Sequence, residues 1–166
     1  DVAGVRTRYL EAGSGEPLLL VHGGQAGGHG VATGDDWRPV IAPLAQNFRV
    51  LAIDKIGCGY SDNPRSDDDY MLSGTVRHLR AFLQKLDINA AHLVGHSRGG
   101  YGVTRLALEN PEMVTTLINV SSATLIGGET PYDGWFARMQ QMEDLREKAR
   151  FFFAVNSYSD AHIDDH

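Results

Sequence analysis

Gly95-His96-Ser97-Arg98-Gly99 decides how this chain is read. The pentapeptide follows a strand-like apolar run, Ala91-His92-Leu93-Val94, and opens a helix-like run from Tyr101 to Asn110. G-x-S-x-G between a strand and a helix is the pattern of a nucleophile elbow. Its two glycines, Gly95 and Gly99, have a mechanical reason. The turn is tight enough to hold the serine in a strained backbone conformation. Side chains two residues before and after it would collide with the adjoining strand and helix. Ser97 is therefore expected to raise its hydroxyl above the sheet edge at a helix N-terminus, where backbone N–H groups favour developing negative charge.

Outward from this turn, short apolar runs alternate with amphipathic ones. Val5 to Ala12 alternates loosely and predicts an edge strand, closed by the turn signal Gly13-Ser14-Gly15-Glu16-Pro17. Leu18-Leu19-Leu20-Val21 is a continuous apolar run of the kind buried on both faces of a sheet. It leads into His22-Gly23-Gly24 and a Gly-rich loop reaching Gly34. Asp35 or Asp36 is expected to cap a helix with Trp37, Val40, Ile41 and Leu44 on its apolar face. Arg49 to Ile53 predicts the next strand, followed by the turn-rich stretch Asp54 to Asp62. Val76, Leu79, Phe82, Leu83 and Leu86 share one face of a further helix. The helix after the elbow stops at Asn110-Pro111, and Leu117-Ile118-Asn119-Val120 predicts another strand.

This β-α-β-α-β-α-β order predicts an α/β fold, a mostly parallel sheet with helices on both faces. After residue 125 the pattern changes. Trp135, Phe136, Met139, Met142, Leu145 and Ala149 fall at helical spacing, and Phe151-Phe152-Phe153 follows. The expected division is a sheet-bearing unit over residues 1–125 and the beginning of a helical insertion over 126–166.

Composition narrows the function classes. Hydrophobic residues make up 42% of the 166, enough for a sizeable core. The net charge of −6 and the lack of a basic patch argue against nucleic acid as a partner. No apolar run of about 18 residues predicts a transmembrane helix. The first residues lack the basic and apolar regions of a signal peptide. The lone Cys58, between Gly57 and Gly59, excludes an internal disulfide and fits a reducing compartment, so a cytoplasmic location is expected. Asp67-Asp68-Asp69 reads as a solvated loop rather than a cation site, and no metal or other cofactor is expected. Nucleotide binding through the Gly24–Gly30 loop is disfavoured by the lack of G-K-[ST]. The sequence leaves self-association open.

Together these motifs resemble the α/β-hydrolase family. Leu19-Leu20-Val21-His22-Gly23-Gly24 is similar to the strand that leads to the oxyanion loop of that family, and Asp54 through Asp62 to its D-x-x-G-x-G-x-S loop. Gly95 to Gly99 resembles its elbow, and Asn110-Pro111-Glu112 its helix end. The resemblance spans about residues 5–125 and is nearest to the capped, small-molecule branch. That branch includes the hydrolases of 2-hydroxy-6-oxo-dienoates (meta-cleavage products of aromatic degradation), esterases, epoxide hydrolases and dehalogenases. Epoxide hydrolases and many dehalogenases carry Asp at the position of Ser97. A serine suits attack on a carbonyl instead.

The resemblance implies residue roles. Ser97 would be the nucleophile, and the backbone N–H groups of Gly24 and Arg98 the oxyanion donors. His22 would support its loop rather than catalyse, and the side chains of His96 and Arg98 would pack or support. The segment from 126 would begin a helical cap. The family's triad Asp and His follow the cap, and no position here matches them. His162 and His166 flank Asp164 and Asp165, but no Glu follows the first His as a zincin helix requires, so a solvated terminus is expected. Ser121 and Ser122 stand where some relatives place the acid. These 166 residues are therefore expected to be one part of a longer polypeptide, and a sheet ending at the last strand would leave an apolar edge open.

Two functions follow. One is a serine hydrolase of a small apolar carbonyl substrate, cleaving a C–C bond of the meta-cleavage type or a carboxylic ester. The other is a non-catalytic ligand-binding protein of the same fold, or an inactive fragment.

Overall fold

The computed structural model describes residues 1–24, 32–125, 131–144, 147–148 and 150–151. Five strands form one sheet: β1 (Tyr9–Ala12), β2 (Glu16–Val21), β3 (Phe48–Ile53), β4 (Ala91–His96) and β5 (Val114–Val120). Their order is β1-β3-β2-β4-β5. Only β1 runs antiparallel, against β3; the other neighbours are parallel. The expected mostly parallel α/β sheet with an edge strand at the start is therefore what forms.

Alternation along the strands sorts the core into two layers. Leu19, Val21, Leu51, Ile53 and Leu93 pack with Val76, Leu79, Phe82 and Leu83 of α3 (Leu72–Lys85) and with Val103 and Leu106 of α4 (Arg98–Glu109). On the opposite face, Leu18, Leu20, Val50 and Ala52 pack with Trp37 and with Ile41 and Leu44 of α1 (Arg38–Leu44). The apolar runs are continuous because both faces are covered.

Three local expectations change. Neither Asp35 nor Asp36 is the cap. Thr33 Oγ1 accepts from Asp35 N–H and starts a 3-10 turn, Gly34–Trp37, ahead of α1. Asp35 is committed to the guanidinium groups of Arg8 and Arg38 instead. Val40 lies outside the apolar stripe and is 39% exposed, because α1 contacts the sheet through Ile41 and Leu44. Asp67–Tyr70 is a one-turn helix, α2, rather than a loop, with Asp69 bonded to Ser66 and Arg77.

The strand register positions the candidate site. Val21 pairs with Ile53 on one side and Gly95 on the other. Three chain segments therefore leave the same sheet edge side by side: His22-Gly23-Gly24, Asp54-Lys55 and His96-Ser97. The chain goes from β2 to one neighbour, β3, and then crosses to the other, β4. The carboxyl ends of β2 and β4 thus flank the point where connections diverge, which is where open α/β sheets hold ligands.

At the other side of the sheet, β5 is exposed along most of its length, with Leu117, Ile118 and Val120 open to solvent. That is the apolar edge expected from the sequence. Among the described residues, no helix is long and apolar enough to cross a membrane.

The chain divides into two compact units, Asp1–Leu125 and Ile126–His166. The second contains α5 (Pro131–Gln140), on which Trp135 and Met139 are half-buried, as is Met142 just beyond it, while most intervening residues are exposed. The Arg138 guanidinium lies 4.8 Å from the centre of the Phe151 ring. Leu145, Ala149, Phe152 and Phe153 lie outside the described residues, as do the terminal histidines and residues 25–31 of the Gly-rich loop.

Candidate active site

Ser97 joins β4 to α4 at φ 51, ψ −120. A side-chain-bearing residue reaches that conformation only when its surroundings over-determine it. They do so here. Ser97 N–H donates to Val120 O at 2.9 Å, and the Ser97 carbonyl accepts from Gly100 N–H at 3.0 Å. That carbonyl also accepts from Ser122 Oγ at 2.7 Å and Thr124 Oγ1 at 3.4 Å.

Glycines make the turn sterically feasible. A Cβ on Gly95 would stand 2.6 Å from Gly100 Cα, and one on Gly99 would press into the carbonyls of Val21 and His22. Two further glycines are constrained, Gly100 as severely and Gly23 less so. A Cβ on Gly100 would reach 2.5 Å from Ser122 Cβ, and one on Gly23 would stand 3.2 Å from Ser97 Cβ. The sequence signal for these is the doublets Gly99-Gly100 and Gly23-Gly24. Only the folded chain shows what lies opposite them.

The His22-Gly23-Gly24 segment is tied down by its own buried histidine and by Lys55. His22 is fully buried, with Nδ1 2.6 Å from Gly23 O, while Nε2 accepts from Lys55 N–H at 3.1 Å. An accepting Nε2 leaves the proton on Nδ1, which donates to the Gly23 carbonyl. Burial, reinforced by the Lys55 charge, lowers the imidazole to about 4, so it is neutral at pH 7. Both ring nitrogens are committed, which makes His22 a support for its loop. Gly24 follows at φ +66, a conformation that favours glycine. Its carbonyl accepts from Lys55 Nζ at 2.6 Å. Arg98, the other expected donor, opens α4 with its side chain exposed. The structure thus brings Gly23 against Ser97, with Gly24 and Arg98 the next residues along their respective segments.

The Asp54–Ser61 loop is organised by a buried carboxylate. Asp54 Oδ1 accepts from Gly34 N–H at 2.7 Å and Arg8 Nη1 at 3.0 Å, and Oδ2 accepts from Tyr60 N–H at 2.9 Å. Ser61 Oγ closes the turn onto Asp54 O at 2.7 Å. Within the D-x-x-G-x-G-x-S stretch, Tyr60 and Ser61 form a set around Asp54, the first through its N–H to the side chain and the second through its hydroxyl to the backbone carbonyl. Gly59 belongs to the set because a Cβ there would strike Asp54. His78 supports the same loop. Its Nδ1 accepts from Ile56 N–H at 3.1 Å and Nε2 meets Thr7 Oγ1 at 2.8 Å. Burial lowers its imidazole to about 4. Burial also raises the Cys58 thiol, against the pull of Lys55, which keeps it protonated at pH 7 and fits a structural role.

His92 sits at the start of β4, far along the strand from Ser97, held by Glu16 at 2.9 Å and Thr116 at 2.8 Å. His96 is the exposed residue next to Ser97. Among the described residues, no cluster of His, Cys, Asp or Glu could hold a metal ion.

A family profile described as "alpha/beta hydrolase fold" matches residues 16–158. With that match, the elbow and the sheet order, the chain belongs to the α/β-hydrolase fold family. It is 37% identical over 127 residues to a 2-hydroxy-6-oxo-6-(2'-aminophenyl)hexa-2,4-dienoic acid hydrolase of Metapseudomonas resinovorans, covering 76% of this chain and 42% of that protein. It is 36% identical over 150 residues to a 2-hydroxymuconate semialdehyde hydrolase of Pseudomonas sp. (strain CF600), covering 86% of this chain and 52% of that protein. Among solved structures, it superposes on a meta-cleavage product hydrolase from Pseudomonas fluorescens IP01 with a TM-score of 0.80 and 28% identity. That match takes in 99% of this chain and 58% of the other. The chain spans about half the length of these relatives.

Proposed function

We propose that this chain carries the nucleophile half of a serine hydrolase acting on a small, apolar carbonyl compound. The observation that carries this reading is the backbone of Ser97, held at φ 51, ψ −120 between β4 and α4 by four hydrogen bonds. Strained backbone of this kind clusters at functional sites.

In the proposed reaction, a general base takes the Ser97 hydroxyl proton as Oγ attacks the substrate carbonyl carbon. The oxyanion of the tetrahedral intermediate is held by Gly24 and Arg98 N–H groups, each worth on the order of 100- to 1000-fold in kcat. Collapse expels the leaving group, which takes up a proton, and water then releases the acyl group from Ser97. The base and its orienting carboxylate are assigned to the portion of the relatives' length that this chain does not span. His22 and His92 have their ring nitrogens engaged elsewhere. The segment from residue 126 is read as the start of a cap over the substrate.

The named relatives support a C–C bond hydrolase of dienoate-type compounds as the first choice of reaction, with carboxylic ester hydrolysis beside it. A fluorophosphonate probe tests the reading on the natural protein. Labelling at Ser97 that disappears in Ser97→Ala is expected. An unlabelled natural protein would favour a non-catalytic binding role.

A further inference from the structure

Lys55 grips the oxyanion-loop segment at two points. Its backbone N–H donates to His22 Nε2 at 3.1 Å, and its ammonium donates to the Gly24 carbonyl at 2.6 Å. The side chain is only 2% exposed. Lysine is rarely buried to this degree without a partner that repays the lost hydration.

The two grips act on adjacent peptide units. The Gly23 carbonyl and the Gly24 N–H are opposite ends of one planar trans peptide, so holding the carbonyl fixes where the N–H points. His22 holds that carbonyl through Nδ1, 2.6 Å away. The following peptide begins at the Gly24 carbonyl, which Lys55 holds. Gly24, at φ +66 and without a side chain, has little intrinsic preference to keep either plane in place. Its geometry is set by what grips the carbonyls on each side.

We propose that Lys55 is a positioning residue for the oxyanion hole, its ammonium locking Gly24 so that the Gly24 N–H stays aimed at the developing negative charge. This rests on the reading of Gly24 as an oxyanion donor. The ammonium acts in two further ways. A hydrogen bond from a charged donor is stronger than one from a neutral donor. A cation shielded from water also stabilises negative charge nearby more than an exposed one does. The titratable and charged groups facing it are the Cys58 thiol of its own loop, the Arg98 guanidinium at the start of α4 and the neutral His22 at the end of β2. Burial, with Arg98 adding to it against the pull of Cys58, brings Lys55 down to about 8. The brace is charged at pH 7 and weakens above pH 8.

The test uses the natural protein, a short-chain p-nitrophenyl ester and a fluorophosphonate, with Lys55→Met and Lys55→Gln variants and Ser97→Ala as control. Lys55→Met is expected to lower kcat and the rate of Ser97 phosphonylation by roughly 10- to 100-fold, since a donor displaced by less than an ångström loses much of its effect. KM should stay within about two-fold, because ground-state binding is untouched. The wild-type kcat should fall above pH 8, and that fall should be missing in Lys55→Met and Lys55→Gln. Unchanged kcat and labelling in the variants would overturn the proposal. So would a loss confined to KM, or a wild-type profile with no fall near pH 8. If neither variant folds, a wild-type profile without that fall still overturns the proposal. If the wild type itself neither hydrolyses the ester nor takes the label at Ser97, the hydrolase reading fails, and the brace fails with it.

Discussion

Acidification from pH 7 to pH 5 should destabilise this fold through two buried histidines. His22 is fully buried and His78 is 5% exposed. Both accept a backbone N–H, from Lys55 and Ile56 respectively, and both are lowered to about 4 from the ordinary 6.5, mainly by burial. A depressed folded-state value means that the unfolded chain binds protons first as pH falls. The stability these rings contribute is therefore complete above about pH 6.5 and is lost as pH descends toward 4. At pH 5 the linkage removes about 2 kcal/mol per ring, or about 4 kcal/mol if the two act independently. That is a large part of the 5–15 kcal/mol typical of a domain. The window isolates the histidines from the carboxylates. Asp35, held at about 2 by Arg8 and Arg38, loses its contribution only below about pH 4.

Urea unfolding at pH 7, 6 and 5 measures the loss, and NMR titration of the imidazole C–H signals assigns it. His78→Gln should cut the pH-dependent part to about 2 kcal/mol. Equal unfolding free energies at pH 7 and 5 would refute the argument. So would midpoints near 6.5 for the His22 and His78 signals, which would mean that the folded rings charge as readily as free ones.

Other perturbations separate the roles assigned above. Gly100→Ala places a methyl group against Ser122, drawing its hydroxyl off the Ser97 carbonyl; about 1–3 kcal/mol of stability should be lost together with fluorophosphonate labelling. Labelling at the wild-type rate would show that Ser122 does not hold the elbow. Asp54→Ala strips the loop of its central acceptor and leaves Arg8 with Asp35 alone, which should cost about 3 kcal/mol in urea unfolding; a loss below about 1 kcal/mol would contradict the central role given to this carboxylate. Lys55→Met should raise the melting temperature at pH 7, because burying the ammonium opposes folding by about 3 kcal/mol and its one carbonyl contact returns only part of that. A lowered melting temperature would mean that the contact outweighs the burial.

How much of this is legible in the sequence depends on whether the physical cause is local. Leu18–Val21 and the strand around Val50–Ile53 announce burial on both faces because sheet burial is written residue by residue. The elbow is legible because its strain concentrates at Ser97 and is relieved by glycines at fixed offsets. Thr33 is not legible as the cap because several oxygens near the helix start could serve, and the pairing of Asp35 with Arg8 and Arg38, which takes one of them away, is set by the fold. Val40 departs from its expected place because helical spacing defines a stripe but not its width, and α1 is short. Lys55, Ser122 and the neighbours of Gly23 and Gly100 act across strands. Their partners lie about 22 to 74 residues away in sequence, and only the register of β2 against β3 and β4, and of β4 against β5, brings them together.

The same register explains why the site stands where it does. β2, β3 and β4 end level with one another, so each contributes one short segment to a single edge: a glycine pair, a buried lysine and a strained serine. Two features of this edge oppose stability, a serine at positive φ and an ammonium removed from water. The ammonium is held by Gly24 of the neighbouring segment, and Ser97 by Val120, Ser122 and Thr124 of the next one together with Gly100 of its own helix. Strain and buried charge at one strand edge, stabilised from adjacent strands, are what a preorganised polar site requires, because donors fixed before the reaction need no reorganisation during it. The edge formed by Gly23-Gly24, Lys55 and Ser97 is thus held in place by its neighbours on every side that the hydrogen bonds describe.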